Sequence, residues 1–70
     1  MKTIDYYDVG GIPTIDYIGA KLSGEEYVGF LRGNVIKYIS RAGYKGDALP
    51  DLKKAREYLD WLIVAEESRE

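Results

Sequence analysis

The chain has 70 residues, a formal net charge of −2, and neither cysteine nor histidine. That length allows one domain, which buries only about 60% of the surface its unfolded chain exposes. Disulfide frameworks, zinc ribbons, thiol nucleophiles and serine–histidine triads are excluded, so any acid–base chemistry falls to carboxylates, tyrosines, lysines or a substrate.

Residues 1–12 are tyrosine-rich and end in Gly10-Gly11, which reads as an extended arm or a short strand followed by a turn. Residues 13–70 read as the helical domain. Pro13 suits the first turn of a helix, and Ile12, Ile15, Ile18 and Leu22 recur at spacings of three and four, which predicts helix 1 over about 13–21. Ser23-Gly24-Glu25-Glu26 spells a capping box. Helix 2 follows over about 24–42, stopped by Gly43 as a left-handed cap. Tyr44 to Pro50 is a basic, glycine-containing connection. Pro50 or Asp51 opens helix 3, which runs to about Glu67 with Lys53–Glu57 and Arg56–Asp60 as i,i+4 pairs. The expected fold is all-α: a compact three-helix domain with an extended N-terminal arm, assembled as an oligomer.

Helix 2 divides into faces. Val28, Leu31, Val35, Tyr38, Ile39 and Ala42 fall in one arc, the expected core stripe. Phe30, Asn34, Lys37 and Arg41 share a second, and Gly29, Gly33 and Ser40 a third. Each glycine costs about 1 kcal/mol in a helix interior relative to alanine. Close approach of another helix or of a ligand would explain two on one face, with packing the commoner cause. In helix 3, Leu52, Ala55, Leu59, Leu62 and Ile63 form the expected core stripe, and Asp51, Lys54, Tyr58, Trp61 and Ala65 line its edge. Trp61 and Val64 point away from the stripe centre, which suits an oligomer interface more than a cofactor box.

Charge is unevenly spread. Between Arg32 and Arg56 seven basic residues stand against two acidic ones, a local +5, and the remainder carries −7. This suggests a local anion site more than a nucleic-acid surface, which needs a strongly basic domain. Ordinary solvated helix faces are the plain alternative. Asn34, Lys37 and Arg41 on successive turns offer an amide for a base edge or sugar, a compact cation and a planar fork for phosphate oxygens. Seven tyrosines and one tryptophan supply rings with a polar tip, suited to the rim of a core or to a pocket that is dry on one side and wet on the other. No G-x-x-x-x-G-K-[ST] loop occurs, so a conventional P-loop kinase is excluded, and no metal cluster is expected.

The run from Gly29 to Gly46, containing Gly33-Asn34, Lys37-Tyr38, Arg41 and Lys45, precedes Asp51-Leu52-Lys53-Lys54-Ala55 and Tyr58-Leu59. This pattern resembles the SaV-like family of small bacteriophage proteins, from about Tyr6 to Leu62. The module of that family also forms the C-terminal part of a bacteriophage nucleotide kinase that lacks a conventional P-loop. The resemblance implies that Gly33, Asn34, Lys37, Tyr38, Arg41, Lys45, Asp51, Lys54 and Tyr58 are matched motif positions. The family commonly begins with a P-S-H-Y segment; here Thr3-Ile4-Asp5-Tyr6 replaces it. Asp5 stands where the histidine would be, which implies binding without turnover if that histidine transfers phosphate.

The reading that follows is a small phage-encoded nucleotide-binding protein, related to a nucleoside-monophosphate kinase, that acts on or sequesters nucleotides in the infected host. Its nucleotide or phosphate set would be Gly33, Asn34, Lys37, Tyr38, Arg41, Lys45, Lys54 and Tyr58, with Tyr6, Tyr44 or Trp61 as further stacking rings. Asp5 and Asp51 are the candidates for a catalytic base or a metal ligand, and Gly29, Trp61 and Val64 for the oligomer interface. A nucleotide is the one ligand expected and no cofactor is required. The competing class is a non-enzymatic interaction module that engages a host defence protein or a phage protein. The expected location is the host cytoplasm, because no run nears the roughly 20 apolar residues of a membrane span and Met1–Asp5 carries no apolar signal segment.

Overall fold

The computed structural model of the chain describes residues 8–9 and 12–68. Three helices carry it: α1 (Thr14–Lys21), α2 (Gly24–Arg41) and α3 (Leu49–Ser68). A strand pair of two residues each, β1 (Asp8–Val9) and β2 (Ile12–Pro13), precedes them, antiparallel with Val9 opposite Ile12. The all-α, three-helix class holds, with Asp8–Val9 as a short strand. Residues 1–7, with Asp5 and Tyr6, lie outside the described residues. Among the described residues no helix is long and apolar enough to cross a membrane.

Local chemistry sets each boundary. Pro13 stands immediately before α1, with φ of −54° already near the helical value. At the start of α2 the Ser23 hydroxyl accepts from the Glu26 N–H at 3.1 Å, and the Ser23 N–H donates to Glu26 Oε1 at 2.8 Å. Both halves of the capping box are made. Ser23→Ala therefore lowers stability by about 1 kcal/mol, read from the midpoint of urea denaturation; an unchanged midpoint contradicts the role of the cap. Gly43 ends α2 with φ of +80°, the left-handed region where a side chain is strained. Asp47 Oδ1 then accepts from the Leu49 N–H at 3.1 Å, and the helix begins one residue before Pro50. Proline fits there because first-turn N–H groups have no partner inside a helix.

Helices α2 and α3 form an antiparallel hairpin, since Arg41 meets Asp51 near the loop while Phe30 and Tyr38 both meet Tyr58 farther along. Leu31 sits at its centre, fully buried at 0% exposure, with Val28 and Ala55 also buried. On α1, Ile15, Ile18 and Leu22 are half-buried. Gly19 lets α1 come close to α2: an added Cβ would lie 3.4 Å from the Tyr27 ring. Burial pushes the Tyr27 hydroxyl above its ordinary pKa of 10.0, and the Asp16 carboxylate adds in the same direction. The stabilising effect of a neutral Tyr27 is thus complete below pH 10.0 and is lost as pH rises through the higher folded value, because the unfolded chain ionises first. Tyr27→Phe removes that part of the alkaline decline, measured by denaturation between about pH 9 and 11.5.

The rotation of α3 differs from the expected one. Asp51, Tyr58, Trp61, Leu62 and Ala65 are half-buried beside buried Ala55, whereas Leu52, Leu59 and Ile63 stand exposed. The helix is turned so that its aromatic edge, and not its leucine stripe, meets α2. On α2, Val28 and Leu31 pack as expected and Val35, Tyr38 and Ala42 are half-buried, but Ile39 is 54% exposed. The ion pairs differ too: Glu57 lies 3.9 Å from Lys54, at i,i+3, and Arg56 has no ion-pair partner among the described residues.

Candidate functional site

The antiparallel hairpin lays one side row of α2 along one side row of α3. Rings fill the seam. Tyr38 stacks on Tyr58 with centroids 5.7 Å apart and planes 16° from parallel. Trp61 meets Tyr58 edge-on at 5.2 Å, and Phe30 meets it edge-on at 6.1 Å. Tyr27 extends the row, stacked 6.3 Å from Phe30. Each such pair contributes about 0.5–1.5 kcal/mol beyond its buried area. That gain explains why the aromatic edge of α3 turns inward.

Cations border the rings. Lys37 Nζ lies 4.7 Å from the centre of the Tyr38 ring, and the Arg41 guanidinium carbon 5.1 Å from it. Arg41 Nη2 also donates to Asp51 Oδ1 at 3.2 Å, which ties the end of α2 to the start of α3. Its side chain stays more than half exposed, so most of its five donors still face solvent. One turn earlier, the Asn34 amide donates to the Phe30 carbonyl at 2.9 Å. That bond fixes the amide on the same row as Tyr38 and Arg41 and leaves its carbonyl oxygen free to accept. Below them, Arg41, Tyr44, Lys45, Asp47 and Asp51 with Gly43 and Gly46 line an open recess of about 400 Å³. Two exposed cations thus flank a small concavity next to a stacked aromatic pair.

Of the residues expected at a site, Asn34, Lys37, Tyr38, Arg41 and Tyr58 come together here, and Lys45 lines the recess. Asp51 serves as the partner of Arg41. Lys54, one turn before Tyr58, is turned to Glu57. Trp61, expected at an oligomer interface, is half-buried against Tyr58, while Val64 is exposed. Tyr44 is largely exposed on the loop. Gly29 and Gly33 are exposed, and a Cβ on either would meet nothing within 4 Å. No packing inside the protomer calls for them. Gly33→Ala therefore raises the stability of the free chain by about 1 kcal/mol, read by thermal denaturation; a fall would mean that the glycine backbone is itself required.

Two parts of the arrangement lie outside the residues and contacts expected of a site. The Arg41–Asp51 pair has a faint signal, opposite charges ten residues apart across a glycine-bearing loop. Phe30 has a clearer one, because it shares the helical arc of Asn34, Lys37 and Arg41. Among the described residues no group of three or more Asp or Glu side chains is placed to hold a metal ion.

A family model described as a protein of unknown function, DUF3310, matches residues 2–60, which takes in all of α2 and α3 as far as Asp60. No curated protein and no solved structure matches the chain.

Proposed function

The chain belongs to the DUF3310 family, and for it we propose a nucleotide-binding role centred on the Tyr38–Tyr58 seam and the cations beside it. The observation that carries this reading is the meeting of stacked rings, Lys37, Arg41 and Asn34 on one face, beside a recess. Arg41 and Lys37 would neutralise phosphate, with Lys45 on the far side of the recess. Asn34 would hydrogen-bond a base edge or a sugar hydroxyl, and Tyr38, Tyr58 or Trp61 would present a ring to a base. Asp51 makes the site selective for anions that outcompete its carboxylate for Arg41, which favours a phosphate of high charge density.

The role fits a phage protein that sequesters nucleotides in an infected host, in line with the SaV-like resemblance. A nucleotide-kinase activity is the catalytic version of the same reading. There the residues would act by positioning and charge neutralisation, with Asp51 nearest the phosphate. Thermal denaturation against mono-, di-, tri- and cyclic nucleotides tests the binding. A ligand at 100 times its Kd stabilises by about 2.7 kcal/mol, on the order of 10–20 °C in a chain of this size. A flat response across the panel contradicts the reading. Supplying nucleoside monophosphate with ATP and assaying diphosphate then separates a kinase from a binding protein.

A further inference from the structure

The rotation that brings the aromatic edge of α3 against α2 leaves a leucine row outside. Leu49, Leu52, Leu59 and Ile63 are between 43% and 52% exposed. With Arg56 they recur at alternating spacings of three and four, the a and d positions of a heptad over about 21 Å of helix. On α2, Ile36 and Ile39 are exposed as well. At 100° per residue Ile39 and Ile36 lie about 60° and 120° round from the centre of the packed stripe, in the same rotational sense as the leucine row on α3. In an antiparallel hairpin, rotations of the same sense from the contact bring both sets to one side of the pair. The result is a continuous apolar face opposite the cation–aromatic one, of a kind that monomeric proteins seldom leave uncovered.

We propose that this face pairs with a second copy of the same chain, α3 against α3 in antiparallel register about a two-fold axis near residues 57 and 58. The charges beside the row select that partner and that direction. In heptad terms Lys53 and Asp60 occupy successive e positions, and Arg56 interrupts the apolar row at an a position. Antiparallel pairing that sets Leu52 opposite Ile63 of the other copy also sets Arg56 opposite Leu59 and Lys53 beside Asp60, twice over by symmetry. Parallel pairing would instead set these e positions against the g positions of the other copy, Ala48 and Ala55, and leave both charges unpaired. Within one chain, neither Lys53, Arg56 nor Asp60 has an ion-pair partner among the described residues. The Arg56 stem packs along the row and carries its guanidinium out to the edge. A buried-edge polar residue of this kind fixes register.

Sedimentation equilibrium of the full chain at micromolar concentration tests the proposal, with circular dichroism to confirm folding. The expected mass is twice the 7.9 kDa of the chain. Leu59→Glu changes an exposed side chain and is expected to weaken association at least 100-fold while helicity is retained. Asp60→Lys places like charges together and is expected to weaken it about tenfold; adding Lys53→Asp restores it. A wild-type monomer at 100 μM or above overturns the proposal. So does a dimer that ignores Leu59→Glu, or one that the double charge exchange fails to restore. Nucleotide binding takes no part in any of these readouts, so the two proposals stand or fall separately.

Discussion

Leu31→Ala removes between about 2 and 5 kcal/mol, against a total stability of roughly 4–10 kcal/mol for a chain of this length. The expectation rests on Leu31 being, among the described residues, the one large side chain with no exposure, beside buried Val28 and Ala55. So thin a core has little neighbouring bulk to collapse into the space, which places the cost toward the upper end of that range. The urea midpoint should fall by more than half, and part of the population should be unfolded without denaturant at 37 °C. Tyr44→Ala is the matched control. Tyr44 is 85% exposed on the loop, so its truncation should move stability by less than about 0.5 kcal/mol. Equal losses for the two variants would mean that the hairpin interior does not hold the fold.

Arg41→Ala should weaken nucleotide binding by about 10- to 100-fold, the 1.5–3 kcal/mol of a hydrogen bond to a charged group. The same change breaks the 3.2 Å bond to Asp51, but that pair is solvated on the arginine side. Its loss costs at most about 1 kcal/mol of stability. The variant therefore separates the two roles: affinity collapses while the fold persists. Lys37→Ala should weaken binding less, because a lysine offers a point charge and no fork. Arg41→Lys should recover only part of the affinity for the same reason. Titration calorimetry with whichever nucleotide gives the largest thermal shift measures all three. Unchanged affinity in Arg41→Ala would remove this face from the account.

The segment boundaries were legible because each rests on neighbours in the chain. The Ser23–Glu26 box and Gly43 act where the sequence locates them, whereas α3 begins at Leu49, ahead of the expected Pro50 or Asp51, because the Asp47 carboxylate accepts from the Leu49 N–H. The rotation of α3 was not legible. By hydropathy Leu52, Leu59 and Ile63 outrank Tyr58, Trp61 and Asp51, so the leucine row looks like the inner one. What turns the helix is a set of contacts with α2: Phe30 and Tyr38 against Tyr58, Arg41 to Asp51, and the small Ala55 that lets the helices approach. None of these shows in the periodicity of a single helix. For the candidate site the position differs, since Asn34, Lys37 and Arg41 already share an arc. Sequence placed them in a row, and the fold supplied the wall of rings opposite.

That division also reassigns the surfaces. Trp61, an outward residue by its periodicity, belongs to the seam beside the cations. The leucines, inward by theirs, are the surface available to a second chain. The rotation of α3 thus decides which side of the hairpin would meet the proposed ligand and which the proposed partner.

The most direct test of the nucleotide reading is a map of backbone amide shifts during titration of the full chain with nucleotide. Binding at this face shifts Asn34, Lys37, Tyr38, Arg41 and Lys45, continuing through Asp51 to Tyr58 and Trp61, and leaves Ile36, Leu52, Leu59 and Ile63 unmoved. Perturbations confined to the leucine face, or none at saturating nucleotide, would contradict it.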